Sequence, residues 1–208
     1  MPGDKETHRI EAFSDGVFAI AITLLILEIK IPNHDAVTIH GLGHELLALW
    51  PAYLAFLVSF VTILVIWVHH HWMFTLIRRA DHLFLYWNGL LLMLVTIVPF
   101  STGLLAEYLS HPEARIAASL YTGNFLTIAL AFHGLWRYAS LRGRLLEKSN
   151  LSADQCEVAR LTNHYQWAPL LYLLVFMLSF LSELLSISAC LLLAFAFSLR
   201  GWPTPGWR

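Results

Sequence analysis

The sequence predicts an all-α integral membrane protein with six transmembrane helices in a single domain, 1–208. Three observations lead there. Hydrophobic residues fill 58% of the 208 positions and charged residues only 13%, where an ordinary soluble domain carries about 25% charge. The apolar residues fall in long blocks, and residues 47–68 and 85–100 hold no charged side chain. About 20 such residues cross a hydrocarbon core of about 30 Å. The basic residues are lopsided. With the N-terminus inside, 11 of the 13 lysines and arginines fall on inner segments, and only Lys30 and Arg115 fall outside. The positive-inside rule then puts both termini in the cytoplasm of a multi-pass cell-membrane protein.

The first span covers 9–31. It is long and holds Asp15 and Glu28, so it reads as a retained helix and not as a cleaved signal peptide. After Pro32, Asn33-His34-Asp35 signals a turn. Residues 40–49 read as a short amphipathic helix before Pro51. The second span covers 48–74. Arg78-Arg79-Ala80-Asp81 is a tight polar connection to the third, 82–107, and His111-Pro112-Glu113 leads into the fourth, 114–138. The longest connection, 139–161, is basic and polar. Ser152 and Gln155 have capping-box spacing, which starts the fifth helix before its span at 162–182. The sixth span is 184–200. The two halves show no repeat of the motif at Arg9. Cys156 and Cys190 are too few for a disulfide framework. A net charge of -1 gives no case for nucleic acid as a partner.

The first helix is the informative one. An ionisable group at membrane depth costs about 2.5–3.5 kcal/mol on insertion scales, so Asp15 needs a polar partner or water. At about 100° per residue, one face collects Phe13, Ile20, Leu24, Leu27 and Ile31, with Thr23 at its edge. Ser14 and Asp15 point away from it. Two readings stay open at this point. The apolar face lines an axis between subunits, or it is ordinary helix–helix core.

Arg9-x-x-x-Phe13-Ser14-Asp15 matches the RxxxFSD signature that opens the first helix of the transmembrane protein 175 family of potassium channels. Trp67 and the histidines near the end of the second helix, then Asp81, Asn88 and Pro99-Phe100, strengthen the match. The chain resembles the prokaryotic members, which have one set of six helices. The first half carries this resemblance; the second half matches mainly in helix count. It implies a homotetramer in the lipid bilayer, with four copies of the first helix lining a pore for potassium ions. No TVGYG filter string occurs, as in the family. The resemblance puts a hydrophobic constriction at Ile20 and Leu27, and a Thr23 layer that aids potassium preference as the ion passes. Leu24 and Ile31 complete the pore face. It implies no cofactor and no structural metal.

The signature residues take roles accordingly. Arg9 sits at the inner mouth, where it anchors the helix start, acts on entering cations, or snorkels to the interface. Ser14 and Asp15 hold the first helix against the second and third, with Trp67, His70 and Asn88 as partners. His69, His70 and His71 splay about 100° apart on a helix, so they cannot ligate one ion together. A histidine in this network brings pH modulation within reach. Glu28 and Lys30 stand near the outer mouth, either to draw cations or as interfacial charges. The competing reading is a secondary transporter with broken helices. Pro99 and Pro169 would interrupt helices, but no paired break appears in the two halves. An enzyme is not expected: no H-E-x-x-H or G-x-S-x-G motif occurs.

Overall fold

A computed structural model describes residues 2–141, 145–146 and 152–200. Arg142, Arg144 and Lys148 of the long connection and the tail 201–208 lie outside the described residues. Among the described residues the regular elements are helices, with one isolated antiparallel bridge between Ile77 and Leu146. The helices are α1 (Pro2–Leu24), α2 (His34–His40), α3 (Leu42–Ala48), α4 (Trp50–Leu76), α5 (His82–Thr96), α6 (Val98–Tyr108), α7 (Ala114–Ser140), α8 (Ser152–Ser179) and α9 (Glu183–Arg200).

Four stretches among the described residues are long and apolar enough to cross a membrane: Thr7–Glu28, Trp50–Leu76, His82–Tyr108 and Ala114–Ser140. Glu183–Leu199 is a shorter apolar helix. α7 is the packing centre, lying against α5, α6, α8 and α9. It buries Ala117, Ala118, Tyr121, Phe125, Ile128, Phe132, Leu135 and Trp136. Small residues in this row let neighbouring backbones approach, the usual means of helix association in lipid. Gly134 does the same for Trp87: a Cβ there would lie 2.6 Å from the indole ring.

The helix ends follow local chemistry. Asp81 caps α5 by accepting from Phe84 N at 2.9 Å, and its other oxygen accepts from the Tyr138 hydroxyl at 2.6 Å. One carboxylate thus closes a helix N-terminus and ties α5 to the end of α7. Pro169 lies inside α8 and lacks the N–H that would reach the Tyr165 carbonyl. His133 Nδ1 of α7 approaches that carbonyl at 3.3 Å and takes over the missing bond.

The structure departs from the sequence expectations in three places. α1 ends at Leu24, tightens to a 3-10 turn over Leu25–Glu28, and becomes extended at Ile29. Pro32 disfavours helix at the residue before it, and β-branched Ile26, Ile29 and Ile31 favour extended backbone. Ile31 therefore lies beyond the helix, not on its face. Asn33 does not make a plain turn; its side chain accepts from Asp35 N at 3.1 Å and caps α2. The stretch 82–107 is two helices meeting at Ile97, with Pro99 in the first turn of the second. In keeping with the early start expected for the fifth helix, α8 begins at Ser152, ten residues ahead of the span at 162–182.

A Gly134→Ala substitution forces the Trp87 ring to move within a packed seam. It is expected to lower unfolding stability in detergent by about 1–3 kcal/mol, the scale of overpacking. A thermal melt of the purified variant beside the wild type checks this.

Candidate functional site

α1 has two unlike faces. Ser14, Phe18, Ala21 and Leu25, spaced four, three and four residues apart, are buried against the rest of the chain. Phe13, Ile20, Leu24 and Leu27 point outward, with Ile20 60% and Leu27 69% exposed. Among the four candidate spans α1 is the least buried. The signature therefore splits. Phe13 faces out, Ser14 faces in, and Asp15 lies at the boundary; Arg9 is exposed near the start of the helix.

A directed chain of hydrogen bonds holds the inner face. Ser14 Oγ donates to the Ile10 carbonyl at 2.9 Å. Asn88 Nδ2 of α5 donates to Ser14 Oγ at 3.0 Å. Asn88 Oδ1 is then the acceptor for His70 Nε2 of α4, at 2.9 Å. For Asn88 to donate to Ser14 and accept from His70, His70 must carry a proton on Nε2. Its Nδ1 is buried with no hydrogen-bond partner among the described residues, and its ring lies against Phe18 and Phe74, tilted by 56° and 30°. Three helices meet in this chain, and every step uses a buried polar side chain.

Asp15 is held separately. Trp67 Nε1 donates to Asp15 Oδ1 at 2.8 Å. Beside it, His71 Nδ1 lies 2.9 Å from Glu11 Oε1, and the His71 ring stacks on Trp67. The His71–Glu11 pair, absent from the sequence reading, has a signal: Glu11 stands four residues before Asp15 on the same face, as His71 does after Trp67. The three histidines diverge. His69 meets Tyr165 at 3.2 Å and Phe197, His70 meets Asn88, and His71 meets Glu11.

On the outer face, Thr23 Oγ1 donates to the carbonyls of Ala19 and Ile20, at 3.0 and 2.9 Å. With its proton engaged on the backbone, the hydroxyl presents only lone pairs outward, the polarity that suits a cation. Further along, Glu28 lies against α6 at Gly103, where a Cβ would collide with its carboxylate. Lys30 Nζ pairs with Glu107 Oε2 at 3.1 Å, an exposed pair worth about 0–1 kcal/mol.

Asn88 is the one residue that both accepts from His70 and donates to Ser14. Asn88→Ala strands both partners in a buried setting and is expected to cost about 1–3 kcal/mol. Asn88→Asp keeps the acceptor for His70 but loses the donor to Ser14 and buries an ionisable group, so it is expected to cost more than Asn88→Ala. Thermal unfolding of the two variants in detergent checks the order.

The sequence profile of the family described as "Endosomal/lysosomal potassium channel TMEM175" matches residues 9–99. A protein of Chamaesiphon minutus named as a potassium channel is 59% identical over 199 residues, covering 96% of this chain and 97% of the relative. A protein of Streptomyces collinus with the same kind of name is 41% identical, covering 96% and 95%. The fold matches the crystal structure of a lysosomal potassium-selective channel TMEM175 homologue from Chamaesiphon minutus. The TM-score is 0.87 at 57% identity, covering 96% of this chain and all of that one. On this similarity, which runs nearly the full length of both chains, the protein belongs to the TMEM175 family.

Proposed function

We propose that the chain is one subunit of a homotetrameric, potassium-permeable channel whose conduction path runs between four copies of α1. The observation that carries this reading is the outward face of α1. Its large apolar side chains and the Thr23 hydroxyl are left uncovered by their own chain, while the opposite face is sealed. Relatives along nearly the whole chain are named potassium channels. The subunit crosses the bilayer six times as a single domain, with α8 and α9 as the fifth and sixth spans. At 1.5 Å per residue the 18 residues of α9 reach about 27 Å, near the thickness of the hydrocarbon core. Both termini lie in the cytoplasm of the cell.

In this reading Ile20 and Leu27 form rings that narrow the path, and large aliphatic rings gate by dewetting. Between them Thr23 offers an oxygen whose hydroxyl proton already bonds to the backbone. Four such oxygens replace part of the water around a passing potassium ion. Leu24 shares this face. Ile31, outside the helix, stands at the outer opening. The Ser14–Asn88–His70 chain and the Trp67–Asp15 bond hold the rotation of α1 that turns this face to the axis. Arg9 lies at the inner mouth.

Flux through purified protein in liposomes tests this, with potassium compared against sodium. Wild type is expected to favour potassium. Thr23→Ala is expected to weaken that discrimination, and Ile20→Ala to change the size of the flux by widening the narrowest ring. Tetramers that conduct neither ion, or a selectivity indifferent to Thr23→Ala, would contradict the assignment.

A further inference from the structure

The segment between α1 and α4 carries a side-chain cluster that the channel reading leaves unused. His40 ends α2, Gly41 turns the chain, and His44 and Glu45 follow in the first turn of α3. Gly41 has φ +83°, a conformation that favours glycine, and this turn sets the two short helices against each other. His40 Nδ1 comes to lie 2.8 Å from Glu45 Oε1, and His44 Nδ1 3.6 Å from the same oxygen. All three atoms lie within 4.8 Å of one another. The imidazole rings stand 5.4 Å apart. Although the segment is exposed, the Glu45 side chain is only 18% exposed beneath the two rings.

We propose that His40, His44 and Glu45 form a binding site for a divalent transition metal ion of the zinc type. Two imidazoles and one carboxylate are the donor set of open zinc centres, with water in the fourth position. A tetrahedral centre with bonds of about 2.0–2.2 Å holds its ligand atoms about 3.3–3.5 Å apart, so the 2.8 and 3.6 Å separations bracket what the ion needs. Nitrogen donors disfavour magnesium and calcium, which take oxygen.

A second feature points the same way. α2 and α3 have seven residues each and bury no side chain, and isolated helices this short are marginal. A metal bound to His40 on one side of Gly41, and to His44 and Glu45 on the other, staples them together. The site does not depend on the pore, and it lies at the end of α4 opposite its connection to α5.

Calorimetric titration of zinc into the purified full chain tests the assignment. Wild type is expected to bind one ion per chain, and magnesium to give no binding. His40→Ala, His44→Ala and Glu45→Gln are each expected to weaken zinc binding at least about tenfold, the scale on which disturbing a metal's ligand environment acts. The triple variant is expected to lose it. A second group, Glu11, Asp15 and His71, also brings ligand atoms within 4.8 Å, so His71→Ala is the control and is expected to leave this binding unchanged. No binding to wild type, binding that survives the triple variant, or binding that His71→Ala abolishes would each overturn the proposal.

Discussion

Ser14, Asn88 and His70 are polar side chains buried between helices that are apolar almost everywhere else. In hydrocarbon such groups have no water to turn to, and each one left unpaired costs several kcal/mol. Apart from His70 Nδ1, they satisfy one another in a single direction, from His70 through Asn88 and Ser14 to the Ile10 carbonyl. That direction admits one rotation of α1. Turning the helix by one residue, about 100°, would break the chain and swing Phe18 out of the core. The outward position of Ile20, Thr23, Leu24 and Leu27 is therefore set by what happens on the opposite side of the helix.

Dispersion packing supports this arrangement without specifying it. Leu25, Phe18 and Ala21 fill the seam beneath α1, but aliphatic contacts in lipid tolerate rotation and sliding, because lipid tails are as apolar as leucine. Exposed pairs such as Lys30–Glu107 add little. The Trp67–Asp15 bond matters more, since it holds a carboxylate at the edge of the buried face by a directed donor. Hydrogen bonds across helices in membranes average about 0.6 kcal/mol each. Their contribution here is orientation more than bulk stability.

The helical class and the places of the long helices are legible in the apolar blocks, because a bilayer demands length and hydrophobicity that few other settings require. The partners of Ser14 and Asp15 are legible as residue types: Trp67, His70 and Asn88 are polar side chains with no other reason to sit in apolar runs. The end of α1 is not. Ile29 and Ile31 continue the apolar block, and the change to a 3-10 turn depends on backbone preferences near Pro32 and on Glu28 meeting Gly103. The break at Ile97 is marked locally by Pro99, whereas the rescue of the Tyr165 carbonyl by His133 needs a helix neighbour that no local pattern reveals. Likewise, which of three adjacent histidines faces which helix follows from α1, α5 and α8 being where they are. The His40–Glu45 contact turns on a single glycine dihedral.

If α1 lines the conduction path, its outward face meets water on an axis between subunits and not lipid. Single cysteines placed along α1, in a background lacking Cys156 and Cys190, test it directly. Water-soluble thiol reagents applied to protein in liposomes are expected to label Ile20→Cys, Thr23→Cys and Leu27→Cys and to block flux, while Phe18→Cys and Ala21→Cys stay protected. Labelling of the outward positions by membrane-soluble reagents alone, with flux untouched, would mean that this face lies against lipid, and would contradict the account.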